Sequence, residues 1–239
     1  MLIAIEGIDG AGKRTQCDLL KSRLERTGLQ TETLSFPRYG QTLVSGLVAD
    51  YLNGKLGDLD SVDPRLAALL YAVDRFETRD RIHDLSRAVD IVLLDRYVGS
   101  NFAYQGARID AQQLQSFVTW IIELEYGVFA VPRPDLTIYL DVPVNLAVDL
   151  ISRKGLRTYT SQASDLHERN RGYLRACRSA YQELARMSPD SPWFLIPCAQ
   201  TDGQLRSPLE ISESIWRIVS EAVRGHVAGT RPNEQKADG

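Results

Sequence analysis

Short apolar runs alternate along the chain with longer amphipathic stretches. The first run, Leu2-Ile3-Ala4-Ile5, reads as a strand. A glycine-rich turn follows, then a helical pattern in which Cys17, Leu20 and Leu24 share a face up to about Thr27, with Gly28 as C-cap. Thr31 to Phe36 alternates as a second strand and stops at Pro37. A helix is predicted over Leu43 to Leu52 and a loop over Asn53 to Val62. Asp63-Pro64, a cap followed by a first-turn proline, opens a helix to about Ala88, with Leu66, Leu70 and Val73 marking its expected buried face. Ile91 to Leu94 is a third strand ending in Asp95. Helical patterns fill Ser100 to Tyr104 and Asp110 to Tyr126. Leu136 to Leu140 is a fourth strand ending in Asp141, followed by a helix from Val144 to Ile151. Ser152 to Ser164 is polar and basic and has no periodicity. A long helix over Asp165 to Met187, a short strand from Trp193 to Ile196 and an amphipathic helix over Glu210 to Val223 complete the pattern. The polar stretch from Gly225 to Gly239 is expected to be disordered.

Strands that alternate with helices imply right-handed βαβ units, hence an α/β fold with a five-stranded parallel sheet covered by helices on both faces. Ligands of such sheets bind outside the carboxyl ends of the strands. Gly7, Phe36, Asp95 and Asp141 all follow strands at that edge. The length of 239 residues suits one large domain, and no linker divides it, so residues 1–224 are expected to form a single unit. The net charge of −3 supplies no basic field for nucleic acid. No apolar run reaches the roughly 18 residues of a membrane span. The cysteines, Cys17, Cys177 and Cys198, are odd in number and scattered, which predicts reduced thiols and a cytoplasmic setting. The histidines show no metal-ligand spacing with them.

The chemistry begins at the first turn. Gly7, Ile8, Asp9, Gly10, Ala11, Gly12 and Lys13 match the G-x-x-x-x-G-K core of a phosphate-binding P-loop, placed between a strand and a helix as the motif requires. Arg14 stands where Ser or Thr normally follows the lysine, and Thr15 comes one residue later. Asp95 is suited to orienting magnesium or its water, or alternatively to pairing with Arg96. Arg96 offers a guanidinium fork to a second anionic ligand. Arg153, Lys154 and Arg157 around Gly155 read either as a lid that closes over a transferring phosphoryl group or as a solvated charged loop. Asp165 and Glu168 form a D-x-x-E pair that is either a helix cap or an acidic element of the site. Tyr71 and Arg75 share a helix face, either in the core or lining a pocket.

In this order and with these gaps, Gly-Ile-Asp-Gly-Ala-Gly-Lys13, Phe36-Pro-Arg-Tyr39, Asp74-Arg75, Asp95-Arg-Tyr97 and Ser100-x-x-Ala-Tyr-Gln-Gly106 resemble the thymidylate kinases, over about residues 1 to 200. The resemblance implies a P-loop kinase fold with a basic lid over about residues 152–164, and ATP-dependent conversion of dTMP to dTDP with Mg2+. The alternatives are a kinase for another nucleotide or deoxynucleoside, and a P-loop protein that binds without catalysis. It implies that Phe36 stacks on thymine, Arg75 bonds the base, and Tyr71, Ser100 and Asn101 complete its pocket. Tyr104 would crowd the sugar's 2′ position, with Gln105 beside it. Arg38, Tyr39 and Arg96 would lie near the acceptor phosphate, Asp9 between the nucleotides, and Asp165 on the substrate side. The P-loop from Gly7 to Thr15, with Arg153 and Arg157, would bind ATP. Asp9, Lys13, Arg96 and Arg153 would carry catalysis, and Asp9 and Glu168 would ligate metal. Arg14 is expected to add a phosphate contact while carboxylates take over the missing hydroxyl's share of the metal. Members of this family are usually homodimers.

Overall fold

The computed structural model describes residues 1–59, 61–153 and 171–230, the last four as backbone only. Five strands, β1 (Leu2–Glu6), β2 (Thr31–Ser35), β3 (Ile91–Asp95), β4 (Leu136–Asp141) and β5 (Trp193–Pro197), form one parallel sheet in the order β2-β3-β1-β4-β5. All five residues of β1 are buried, as expected for a central parallel strand covered on both faces. The chain passes from β1 to one side of the sheet, returns beside it as β3, then crosses to β4 on the other side. This reversal leaves a crevice at the carboxyl end of β1, where the P-loop sits.

The helices are α1 (Lys13–Arg26), α2 (Ser45–Leu52), α3 (Pro64–Ala88), α4 (Val98–Gly106), α5 (Leu114–Ile122), α6 (Val144–Ser152), α7 (Arg171–Met187) and α8 (Pro208–Thr230). Asp63 caps α3 by accepting from the Arg65 amide at 2.7 Å, with Pro64 in the first turn. The helix α8 runs past its expected end at Val223 to Thr230. The stretch Asp110 to Tyr126, expected as one helix, divides into a 3₁₀ turn (Ala111–Gln113), α5 and a π turn (Glu123–Val128).

The inner face of α3 corrects the sequence reading at Leu66, whereas Leu70 and Val73 are half-buried and Leu70 packs against Val48, Tyr51, Leu52 and Ala67. Leu66 is 62% exposed, whereas Ala67, Ala68, Ala72, Asp74, Arg75 and Thr78 are buried. The interior beside α3 is a polar site, so its small and charged residues turn inward. From residue 154 onward the expected lid, with Lys154 and Arg157, lies outside the described residues, as do Asp165 and Glu168.

Candidate active site

The P-loop begins where β1 ends. Gly7 and Gly10 have positive φ, and Gly12, at φ 81°, forms the N-cap of α1. A Cβ on Gly10 would lie 2.2 Å from the Ala147 carbonyl oxygen on α6. The glycine there is dictated by direct contact between the loop and α6, whose C-cap is Arg153, an exposed residue. Lys13 folds into its own loop: its Nζ donates to the Gly7 and Ile8 carbonyls, each at 2.9 Å. Burial first, then the Arg96 charge, depresses the ammonium to about 7, against the pull of Asp9, Asp95 and Glu6.

Arg96 follows β3 with φ 66°, the left-handed region that a non-glycine residue rarely occupies. Its amide donates to Ile5 O at 3.1 Å, which fixes the turn against β1. Its guanidinium donates to Asp9 Oδ1 at 2.6 Å, to Ser100 Oγ at 3.1 Å and to Gly7 O at 3.3 Å, and lies over the Tyr104 ring, 5.2 Å from its centroid. The Tyr104 hydroxyl donates to Asp9 Oδ2 at 2.7 Å and accepts from the Asp9 amide at 2.9 Å. Asp9, Arg96 and Tyr104 thus form one locked cluster at the mouth of the P-loop.

Beneath it lies Glu6, fully buried. It accepts from the Tyr97 amide (2.7 Å), the Ser100 amide (2.9 Å), the Ser100 hydroxyl (2.7 Å) and the Tyr181 hydroxyl (2.8 Å). It serves as the N-terminal cap of α4 from a distant strand. Burial pushes its carboxyl up, and the Ser100 bond and Arg96 charge oppose that. Ser100 therefore belongs to the Arg96 side of the site and is not placed with Asn101.

The second half of the site lies between α3 and α4. Phe36 is buried, its ring tilted against Tyr97 with centroids 5.7 Å apart. Tyr71 stands half-buried, edge-on to Tyr51. Arg75 is buried and forms a bidentate pair with Glu125, through Nε at 2.5 Å and Nη2 at 2.6 Å. Asn101 Nδ2 donates to Ala68 O and Glu125 Oε1, each at 2.9 Å. Asp74 receives the Arg38 amide at 3.0 Å and the Thr42 hydroxyl, so it braces the loop after β2. The Arg38 guanidinium itself reaches Gln41, and Tyr39 packs against the small cluster of Val48, Tyr51, Leu52 and Ala67.

Several expected site residues are placed elsewhere. Arg14 does not turn toward the P-loop: its guanidinium pairs with Asp18 at 3.1 Å on the exposed face of α1, one turn along the same helix. Gln105 is buried and accepts from Arg108, which ties α4 to the carbonyls of Leu59 and Val62. Asp141, at the correct sheet edge, is held by Arg178 (2.7 and 3.0 Å), Gln182 and Tyr139. Burial raises its carboxyl, but these bonds outweigh that and hold it below the usual range. Glu6, Tyr181 and Glu125 were not predicted for the site. The one available signal for Glu125 was that a buried arginine requires an anionic partner.

A family model described as thymidylate kinase matches residues 5–201. The thymidylate kinase of Mycobacterium tuberculosis (strain H37Rv) is 36% identical over 209 residues, covering 87% of this chain and 97% of that protein. A probable thymidylate kinase of Pyrobaculum aerophilum is 38% identical over 224 residues, covering 93% and 97%. In fold, the chain is similar to the thymidylate kinase structure of Candida albicans, with TM-score 0.70 at 24% identity, covering 92% of this chain and 91% of that one. A P-loop on β1 facing an arginine on β3, with an arginine and aromatics beyond, fits this assignment: the chain belongs to the thymidylate kinase family.

Proposed function

We propose that the protein transfers the γ-phosphoryl group of ATP to dTMP, giving dTDP. One observation supports this most directly. Arg96, held in a left-handed turn, reaches Asp9 at 2.6 Å across the mouth of the P-loop. Phosphoryl transfer demands two phosphates brought in line and their charge neutralised, more than it demands a base. The acceptor phosphate, with a second pKa near 6, is already anionic at neutral pH. Asp9 therefore acts as a positioner.

In this reading the backbone amides of Gly7 to Thr15 cradle the donor phosphates. Lys13 exchanges the Gly7 and Ile8 carbonyls for phosphate oxygens. Arg96 holds the acceptor phosphate, with Ser100 and Tyr104 fixing the guanidinium. Phe36, Tyr71, Arg75 and Asn101 hold the base. Arg38 and Tyr39 border the acceptor phosphate, and Arg153 and Arg157 close over the donor from a lid at about residues 152–164, within a single domain over 1–224.

The carboxylates beside the P-loop suit Mg2+. Asp9 lies in the P-loop, its carboxylate held by Arg96 and Tyr104, and Asp95 ends β3 in register with Ile5, so hard oxygen donors come from the loop and from the adjacent strand end. Magnesium typically takes one or two carboxylates together with phosphates and waters. Among the described residues there is no cluster of three acidic or other ligating groups, and this mode of binding needs none. Asp9 and Asp95, with Glu168 as the further expected ligand, would hold the ion. Once bound, it would draw charge from the donor's outer phosphates.

A homodimer is supported by an outward apolar stripe on α3. Leu66, Leu69, Val73 and Phe76 recur on one helical face, and Leu66, Leu69 and Phe76 are exposed. A cytoplasmic setting is supported by three buried free cysteines. No described helix is long and apolar enough to cross a membrane. Phosphorus NMR of a mixture of ATP, Mg2+, dTMP and the protein tests the activity. Diphosphate resonances of dTDP are expected to appear as those of dTMP decline, and ATP hydrolysis without dTDP refutes the reading.

A further inference from the structure

The π turn at Glu123–Val128 interrupts the regular helix that the sequence predicts. Its wider turn is marked by the bond from the Phe129 amide to Leu124 O at 2.9 Å. Such turns recur at functional sites. Here it directs two consecutive side chains into the protein. Tyr126 bonds through its hydroxyl to Asp190 and carries the Arg133 guanidinium over its ring, 4.3 Å from the centroid. Glu125, with no exposed surface, enters the region between α3 and α4.

There its carboxylate sets the orientation of two other side chains. It engages Arg75 side-on through Nε and Nη2, so the plane of the guanidinium is fixed. Arg75 Nη1 keeps only a long 3.5 Å contact with Tyr97 O. The same carboxylate accepts from Asn101 Nδ2, whose other hydrogen goes to Ala68 O. Two acceptors on one side of the amide decide which way it faces. They leave Asn101 Oδ1 buried and without a partner. A buried, unpaired carbonyl oxygen is costly unless a ligand supplies a donor. The site therefore pairs available donors on Arg75 with an available acceptor on Asn101.

We propose that Glu125 is a positioning residue that sets base specificity: it locks Arg75 as donor and Asn101 as acceptor, a pattern that matches the imide edge of thymine or uracil and opposes that of cytosine. The inference rests on the reading that this region holds a pyrimidine monophosphate. The imide edge offers a carbonyl acceptor beside an N–H donor. Cytosine reverses both, presenting an amino group to the guanidinium and a bare ring nitrogen to Asn101 Oδ1. Mismatched polar groups in a closed site discriminate far more strongly than a missing methyl group.

The test measures kcat and KM for dTMP and dCMP with the wild type and with Glu125→Gln. Glutamine removes the charge and brings a second amide, so Asn101 is no longer held in one orientation. The dTMP-over-dCMP preference is expected to fall by about tenfold or more, as for loss of a charged hydrogen bond. The change should appear chiefly in KM, because Glu125 does not touch the phosphates. A residue that only stabilises the fold would lower the melting temperature and leave the preference unchanged in the folded protein. Glu125→Asp keeps the charge one methylene further back and serves if the glutamine variant does not fold. Its preference is expected to fall less than that of Glu125→Gln and still by several-fold. An unchanged preference in every folded variant, with a wild type that turns over dTMP, overturns this inference alone. A wild type that leaves dTMP untouched overturns the activity and this inference with it.

Discussion

Gly10→Ala tests the contact between the P-loop and α6. The structure supplies its own control. Gly10 and Gly12 have nearly the same backbone angle, φ 80° and 81°. A Cβ on Gly12 meets nothing within 4 Å, whereas one on Gly10 lies 2.2 Å from Ala147 O and 3.0 Å from Ile151 Cγ1. An L-residue in the left-handed region costs roughly 1–2 kcal/mol, and the loss of unfolded-state entropy returns roughly 0.4–1 kcal/mol of that. Gly12→Ala should therefore cost about 1 kcal/mol. Gly10→Ala carries the same cost and must also push the α6 backbone away, and overpacking of this kind typically costs ~1–3 kcal/mol. The sum is roughly 2–4 kcal/mol, or a fall in melting temperature of roughly 4–16 °C for a domain of this size. Differential scanning calorimetry of both variants without nucleotide checks it. Equal melting temperatures would refute the claim that direct packing against α6 dictates the glycine. Because Arg153 caps α6, Gly10→Ala should also lower kcat with ATP and dTMP.

Other outcomes follow from the same geometry. Lys13, held near 7 by burial, is partly neutral at pH 8, and phosphates should restore its charge. ATP binding at pH 8 should then take up protons, read by calorimetry as an enthalpy that depends on the buffer, and Lys13→Met should abolish the uptake. The sign for stability is also set: the unfolded lysine binds its proton up to about 10.4, the folded one only to about 7, so this residue makes stability rise with pH between those values. Tyr104→Phe removes both hydroxyl bonds to Asp9; kcat/KM for dTMP should fall about tenfold, and an unaltered value contradicts the locked cluster. Leu66→Glu places a charge in the outward stripe of α3 and should shift the sedimentation coefficient to that of a monomer while the circular dichroism of the folded chain is unchanged. A wild type that sediments as a monomer would remove the dimer.

What could be read from sequence was local. The P-loop, its strand and its helix are contiguous, and so is the Asp63-Pro64 start of α3. The alternation of apolar runs with amphipathic segments was enough for the parallel sheet. The polar interior was much harder to read, because its partners are far apart in the chain. Glu6 meets Tyr181 across 175 positions and Arg75 meets Glu125 across 50. No spacing rule reports such pairs. The inner face of α3 was misread for a related reason. Leucines at helical spacing normally face a core, but here the fully buried side carries Asp74 and Arg75; Leu66 faces outward, while Leu70 is half-buried against the cluster of Val48, Tyr51, Leu52 and Ala67. Arg14 pairs with Asp18 four residues on, a partner that helix spacing offers but the motif, which points to phosphate, does not.

The decisive measurement is the steady-state rate of ADP release with dTMP, dUMP, dCMP, dGMP and thymidine as acceptors, for the wild type and Arg96→Ala. The highest kcat/KM is expected for dTMP. Turnover of dUMP should lie below that of dTMP by roughly the 10- to 200-fold that one methyl group allows, with dCMP and dGMP much lower and thymidine not turned over. Arg96→Ala should lose about 100-fold or more in kcat, as expected for removal of a preorganised donor to developing charge. No turnover of dTMP, or a normal rate in Arg96→Ala, would contradict this reading.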